Sequence, residues 1–153
     1  MTSGVLRISE AASLAMHTMS LLAGRNGRRL STARIAEVLG ASEATLSKVM
    51  QRLGRAGLVE SVRGPHGGFA LSVDPAATTL MDVYQAVEGA MPPTGCLLGK
   101  PVCQGGVCIL GGMIQTVDRQ VRDYLEKVTL AEVAGSFQLP GRERNHEQKH
   151  RQD

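Results

Sequence analysis

Apolar residues recur at helical spacing through most of the chain and alternate with polar ones in one place only, between positions 58 and 73. Residues 8–24 (ISEAASLAMHTMSLLAG) read as a helix capped by Ser9 and stopped by Gly24. Its apolar side chains fall on nearly all sides, so other elements or a partner must cover it. A short basic loop, RNGRRL, follows. Ser31 then caps a second helix, about 32–39, with Ile35, Val38 and Leu39 facing inward and Gly40 at its end. Ser42 caps a third helix, 42–55, with Glu43 in its first turn, where a carboxylate suits the helix dipole. Leu46, Val49, Met50 and Leu53 form its buried stripe at i, i+3, i+4 and i+7. Two helices joined through a glycine turn, the second with a polar outer face, make a helix-turn-helix.

The alternating stretch is LVESV, then the turn RGPHGG, then FALSV: two short strands around a Gly- and Pro-rich bend, a β-hairpin. Residues 79–88 predict a further amphipathic helix, stopped by Gly89. The segment 91–108, with Pro92, Pro93, Pro101 and many glycines, reads as a loop. Residues 109–128 predict a long helix with Leu110, Met113, Ile114, Val117, Val121, Leu125 and Val128 on one stripe, close to coiled-coil spacing. Residues 129–136 add a helical turn. The polar stretch after Gln138 has nothing to bury and reads as disordered. The expected fold is mainly α with a small β-hairpin wing: a winged helix-turn-helix over 1–90, a cysteine loop over 91–108, a long helix within 109–137 and a tail over 138–153.

Composition narrows this picture. The chain has 153 residues, of which 42% are hydrophobic and only 3% aromatic, so its core must be aliphatic. The net charge of +3 is mild, but its distribution is uneven. Residues 1–75 hold nine Lys and Arg against five acids, whereas 76–137 hold four against six. Basic charge thus gathers where the helix-turn-helix would face phosphates. No signal peptide is visible, and no apolar run approaches the roughly 18–20 residues of a membrane span. A cytoplasmic protein is expected.

The outer face of the third helix carries Ser42, Ala44, Thr45, Ser47, Lys48, Gln51 and Arg52. Small residues at its start let the backbone approach a major-groove floor, and the polar ones suit base edges and phosphates of double-stranded DNA. Arg63 and His66 stand on the hairpin turn, from which an arginine can enter a minor groove. Taken alone, such residues are an ordinary solvated helix face; their order along the chain favours DNA.

Cys96, Cys103 and Cys108, spaced Cys-x6-Cys-x4-Cys, are the only cysteines. Thiols of a cytoplasmic protein stay reduced, so an odd cluster points to metal or redox chemistry rather than a structural disulfide. Iron–sulfur centres and zinc both take thiolates. Zinc is the second choice, because the spacing lacks the paired Cys-x2-Cys of a zinc ribbon. Three unliganded thiols are the plain alternative.

The helix-turn-helix LSTARIAEVLGASEATLSKVMQRLGRAGLV, the hairpin LVESVRGPHGGFALS, the loop GCLLGKPVCQGGVCILGG and the segment YLEKVTLAEV resemble the Rrf-two family of bacterial winged-helix regulators. The likeness runs from about Leu6 to Phe137. RGPHGGF departs from the family's usual RGPGGGY at His66 and Phe69. The resemblance implies a homodimer crossing at helix 109–128, a pseudo-palindromic operator, helix 42–55 in the major groove and Arg63 in the minor groove. It also implies that Cys96, Cys103 and Cys108 ligate a 2Fe–2S or 4Fe–4S cluster. One branch of the family adds a His three residues after the third cysteine, which here is Gly111. Another adds an acid from the first helix of the other subunit, which here is Ser13. Glu10 and His17 lie one turn either side of Ser13, and either is a candidate fourth ligand donated across the dimer.

The expected function is that of a DNA-binding transcriptional regulator controlled by an iron–sulfur cluster that senses redox state, nitric oxide or iron. One alternative keeps the DNA binding and makes the cysteines a thiol switch or zinc site. Another, of a different class, is an electron-transfer or redox-enzyme subunit. Catalysis is not expected: the chain has no Walker loop, no GxGxxG after a strand and no His-Glu hydrolytic pair.

Overall fold

The computed structural model describes residues 8–92, 96–98, 100, 102–103 and 108–137. The expected tail over 138–153 and much of the cysteine loop lie outside these residues. The order of elements is α1 (Glu10–Ala23), α2 (Thr32–Leu39), α3 (Glu43–Arg55), β1 (Val59–Val62), β2 (Gly68–Leu71), α4 (Leu80–Glu88), α5 (Gly111–Lys127) and α6 (Leu130–Val133).

The helix starts follow the capping chemistry read from the sequence. Ser9, Ser31 and Ser42 each accept a backbone N–H at the third position of their helix. Gly40 closes α2 in the left-handed conformation, φ 63°. Two further starts are capping boxes, Thr79 with Asp82 for α4 and Thr129 with Glu132 for α6. The two caps lie side by side. Leu80 N–H donates to the Val128 carbonyl and Leu130 N–H to the Thr78 carbonyl, both at 2.9 Å. The α4 and α6 starts are therefore stitched together by a bridge that periodicity does not reveal.

Helix α1 is the hub. It packs against α2, α3, α4, α6 and β2, which covers the apolar residues on its several sides. The core is aliphatic, as the composition requires: Met19, Ile35, Leu46, Met50, Leu53, Val83 and Leu130 are fully buried. Each such side chain contributes about 1.5–3 kcal/mol by leaving water. The stripe read on α3, Leu46–Val49–Met50–Leu53, is buried in full. Helix α6 lies so close on the end of α1 that a Cβ at Gly24 would stand 2.1 Å from the Ala134 carbonyl oxygen. Ser20 Oγ donates to the Val133 carbonyl at 2.6 Å and ties the same contact.

Strands β1 and β2 pair antiparallel with Val59 opposite Leu71 and Val62 opposite Gly68. Leu30 adds a bridge to Phe69 on the other side of β2, with reciprocal hydrogen bonds of 3.0 and 2.8 Å. At Gly68, φ is +135° and a Cβ would lie 2.6 Å from the Leu30 carbonyl oxygen, so only glycine fits. His66 lies outside the left-handed region, so a side chain in place of the family's usual glycine is accommodated without strain.

The long helix differs from the rest. Of its expected stripe only Leu125 is buried; Val121 and Val128 pack partly against the core, and Met113 remains 52% exposed. The principal contact of α5 among the described residues is with α4.

Candidate nucleic-acid interface and thiol site

Helix α3 presents Ser42, Ala44, Lys48, Gln51 and Arg52 to solvent, with Thr45 and Ser47 half-buried. Three of these residues are already engaged. Ser42 Oγ accepts the Thr45 N–H at 3.1 Å and donates to Thr45 Oγ1 at 2.8 Å, so it shapes the helix start as well as facing outward. Arg52 turns its guanidinium toward α4 and donates to the Val87 carbonyl at 2.9 Å. Ala44, Lys48 and Gln51 lie on the open face.

Between α3 and the hairpin runs a cleft of ≈ 340 Å³ lined by Thr32, Ser47, Gln51, Ser61 and Phe69, among others. Its hydroxyls and amide are of the kind that meet phosphate oxygens. Thr32 and Ser61 were not singled out from sequence, because they come from α2 and β1 and only the fold sets them beside α3. Arg63 and His66 are exposed at the hairpin turn. In the basic loop, Arg29 lies 3.5 Å from Glu60 on β1. Both side chains are well exposed, so the pair orients the loop more than it stabilises the fold.

The three cysteines carry no disulfide. Cys96 is half-buried with Sγ 3.5 Å from the Lys100 carbonyl oxygen, while Cys103 and Cys108 are exposed. Among the described residues no three His, Cys, Asp or Glu side chains are gathered into a metal cage. The donor set itself fits: three thiols suit iron–sulfur centres or zinc. Gly111 packs directly on Cys108. A Cβ there would lie 2.9 Å from Cys108 Cβ and 3.6 Å from its Sγ. Position 111 is thus beside the sulfur, and in this chain it brings no ligand.

Glu10 is exposed in the first turn of α1. His17 is exposed too, with Nδ1 2.6 Å from the Ser13 carbonyl oxygen and its ring edge-on to Phe137 at 5.8 Å. A carbonyl only accepts, so Nδ1 donates and Nε2 of the neutral ring carries the lone pair. The ring also lines an open, largely apolar cavity of ≈ 490 Å³ with Met16, Ser20, Leu80 and Tyr124.

The family model Rrf2, described as an iron-dependent transcriptional regulator, matches residues 8–136. The chain belongs to the Rrf-two (Rrf2) family. Among curated Rrf2 relatives, the HTH-type transcriptional regulator IscR of Vibrio cholerae is 37% identical over 102 residues, 66% of this chain and 58% of that protein. IscR of Klebsiella pneumoniae is 34% identical over 119 residues, 75% of this chain and 72% of that one. The chain therefore spans less than two thirds of the first of these relatives. Among solved Rrf2 structures, CymR, the global cysteine regulator of B. subtilis, superposes with a TM-score of 0.71 at 27% identity, covering 88% of this chain and all of CymR. IscR of T. potens superposes with a TM-score of 0.65 at 26% identity, covering 86% and 88%. These relatives are regulators rather than enzymes, and the mainly helical fold with its two-stranded wing matches theirs. No helix among the described residues is long and apolar enough to cross a membrane.

Proposed function

We propose that this Rrf2 protein is a homodimeric DNA-binding regulator whose grip on a pseudo-palindromic operator depends on an iron–sulfur cluster. The carrying observation is the placement of three free thiols in the segment that joins the winged helix to α5. Cys96, Cys103 and Cys108 would hold the cluster, with His17 or Glu10 of a second copy as a candidate fourth ligand. When bound, such a cluster supplies a centre that responds to redox state, nitric oxide or iron supply. The family description and the IscR relatives support this reading.

The rest of the function belongs to the chain's own residues. Helix α3 would enter the major groove with Ala44 at its floor and Ser47, Lys48 and Gln51 on base edges or phosphates. Arg63 would enter the minor groove from the hairpin turn. Two copies must dock together, so a small change in the spacing of their α3 helices alters affinity. A coupling of about 1–3 kcal/mol corresponds to roughly 5–150-fold.

A second reading has the same DNA contacts with the cysteines acting as a thiol switch. The structural likeness to CymR, which in Staphylococcus aureus has also been solved in an oxidized form, favours it. One experiment separates the two. Protein purified without oxygen is assayed for iron, acid-labile sulfide and visible absorption, then tested by gel shift on the region upstream of its own coding sequence. The cluster reading expects colour, iron and sulfide, loss of all three in Cys103→Ala, and a shift that changes with cluster content. Colourless protein after anaerobic reconstitution, or binding indifferent to iron, overturns it; thiol-dependent binding without iron establishes the second reading.

A further inference from the structure

Polar contacts from three helices converge on the short strip 87–92, which runs from the last turn of α4 into the start of the cysteine loop. From α3, Arg52 donates to the Val87 carbonyl at 2.9 Å. From α5, Arg122 donates to the Met91 carbonyl through both terminal nitrogens at 3.3 Å and to the Pro92 carbonyl. From the start of α1, Ser9 Oγ donates to Glu88 Oε1 at 2.6 Å. Val87 lies in the last turn of α4, where carbonyls lack intrahelical partners, so Arg52 holds a helix-end acceptor, whereas Arg122 holds carbonyls of the segment that follows the helix. Arg122 is itself fixed: its Nε donates to Asp118 Oδ2 at 2.9 Å, and both side chains are only about a quarter exposed, 26% and 23%.

We infer that Arg122 and Arg52 are positioning residues that couple the cysteine loop to α3 through this strip. The inference rests on the regulatory reading above but does not depend on which chemistry occupies the thiols. Cys96 lies four residues beyond Pro92, so a rearrangement at Cys96 acts on a stem that Arg122 grips. A planar guanidinium donates several hydrogen bonds in one fixed geometry, so the grip transmits a displacement instead of absorbing it. The other end of the same strip is held by α3, the helix that would lie in the groove. Neither arginine needs to touch a thiol.

Coupling between sites is reciprocal, so DNA bound at α3 must alter the loop. The test uses the full chain, metal-free and reduced, with Cys103 and Cys108 replaced by Ser so that only Cys96 reacts. The rate of Cys96 alkylation by iodoacetamide is measured with and without a duplex that the protein selects from a randomised pool. In this parent the duplex is expected to change the population in which Cys96 is open to the reagent, and with it the observed rate, by about fivefold or more. In Arg122→Gln the effect disappears while duplex affinity stays within about twofold, because Arg122 lies outside the DNA-facing surface. Arg122→Lys keeps the charge but not the fork; it is expected to behave in the same way and carries the test should Arg122→Gln fail to fold by circular dichroism. Persistence of the parent's response in the folded variants overturns the inference and leaves the DNA-binding reading standing. A bound duplex that leaves Cys96 unchanged in the parent overturns the coupling itself. Failure to select any duplex removes the DNA-binding reading, and the inference falls with it.

Discussion

Single side chains show how far local chemistry carries the argument. The serines at 9, 31 and 42 cap helices as their type and position require, because a short hydroxyl satisfies an otherwise orphaned N–H. Arg52 shows where the reading stops: as a long cation on an exposed helix face it is indistinguishable from Lys48 in sequence, yet it faces the Val87 carbonyl. Arg63, exposed on the turn, is the residue whose loss tests DNA contact most directly. Arg63→Ala is expected to weaken operator binding by roughly 1–3 kcal/mol and to reduce the salt dependence by about one counterion. Fluorescence anisotropy over a salt series reads both, and an unchanged slope counts against a phosphate or groove contact.

At the scale of elements, helix ends make two predictions. Ser42 supports the start of α3 from an exposed position, so Ser42→Ala is expected to cost about 1 kcal/mol in urea unfolding. The second concerns α6. Hydrogen bonds from the Thr129 backbone N–H and hydroxyl hold the Glu132 carboxyl below its ordinary range. Because the folded value is the lower one, the ionised carboxylate favours the folded state above the ordinary range, and that contribution is lost as pH falls through the lowered value. Glu132→Gln is therefore expected to lower the urea midpoint at neutral pH, with the difference shrinking in acid. A difference independent of pH would mean that the charge is not involved. Elements also mark where pattern reading failed: the stitching of α4 to α6 joins residues about fifty positions apart, and no periodicity encodes it.

For the whole molecule, the outstanding feature among the described residues is the apolar surface left exposed along α5 and at its cap. Met113 is 52% exposed, Leu110 39% and Tyr124 59%. Large apolar surface left by a helix with coiled-coil spacing is what a second copy would cover. Met113→Glu is expected to convert a dimer to a monomer in sedimentation velocity without loss of helical circular dichroism, and to weaken operator binding because two half-sites must be engaged together. A parent protein that sediments as a monomer would remove the dimeric reading.

Local rules were enough for the winged helix-turn-helix. The buried stripe of α3, the glycine at the end of α2, the alternation across the hairpin and the serine caps are short-range features, decided within about one turn or one strand pair. The family likeness was likewise carried by contiguous motifs from the helix-turn-helix to the α6 segment. Tertiary structure alone decided what distance along the chain conceals: that α1 is the hub, that Thr32 and Ser61 line a cleft with α3, that Gly111 lies on Cys108, and that three helices meet at the strip before the thiols. The physical reason is the same in each case. A cap or a stripe is satisfied by neighbours in sequence, whereas a guanidinium takes whichever carbonyl the packed core brings within reach.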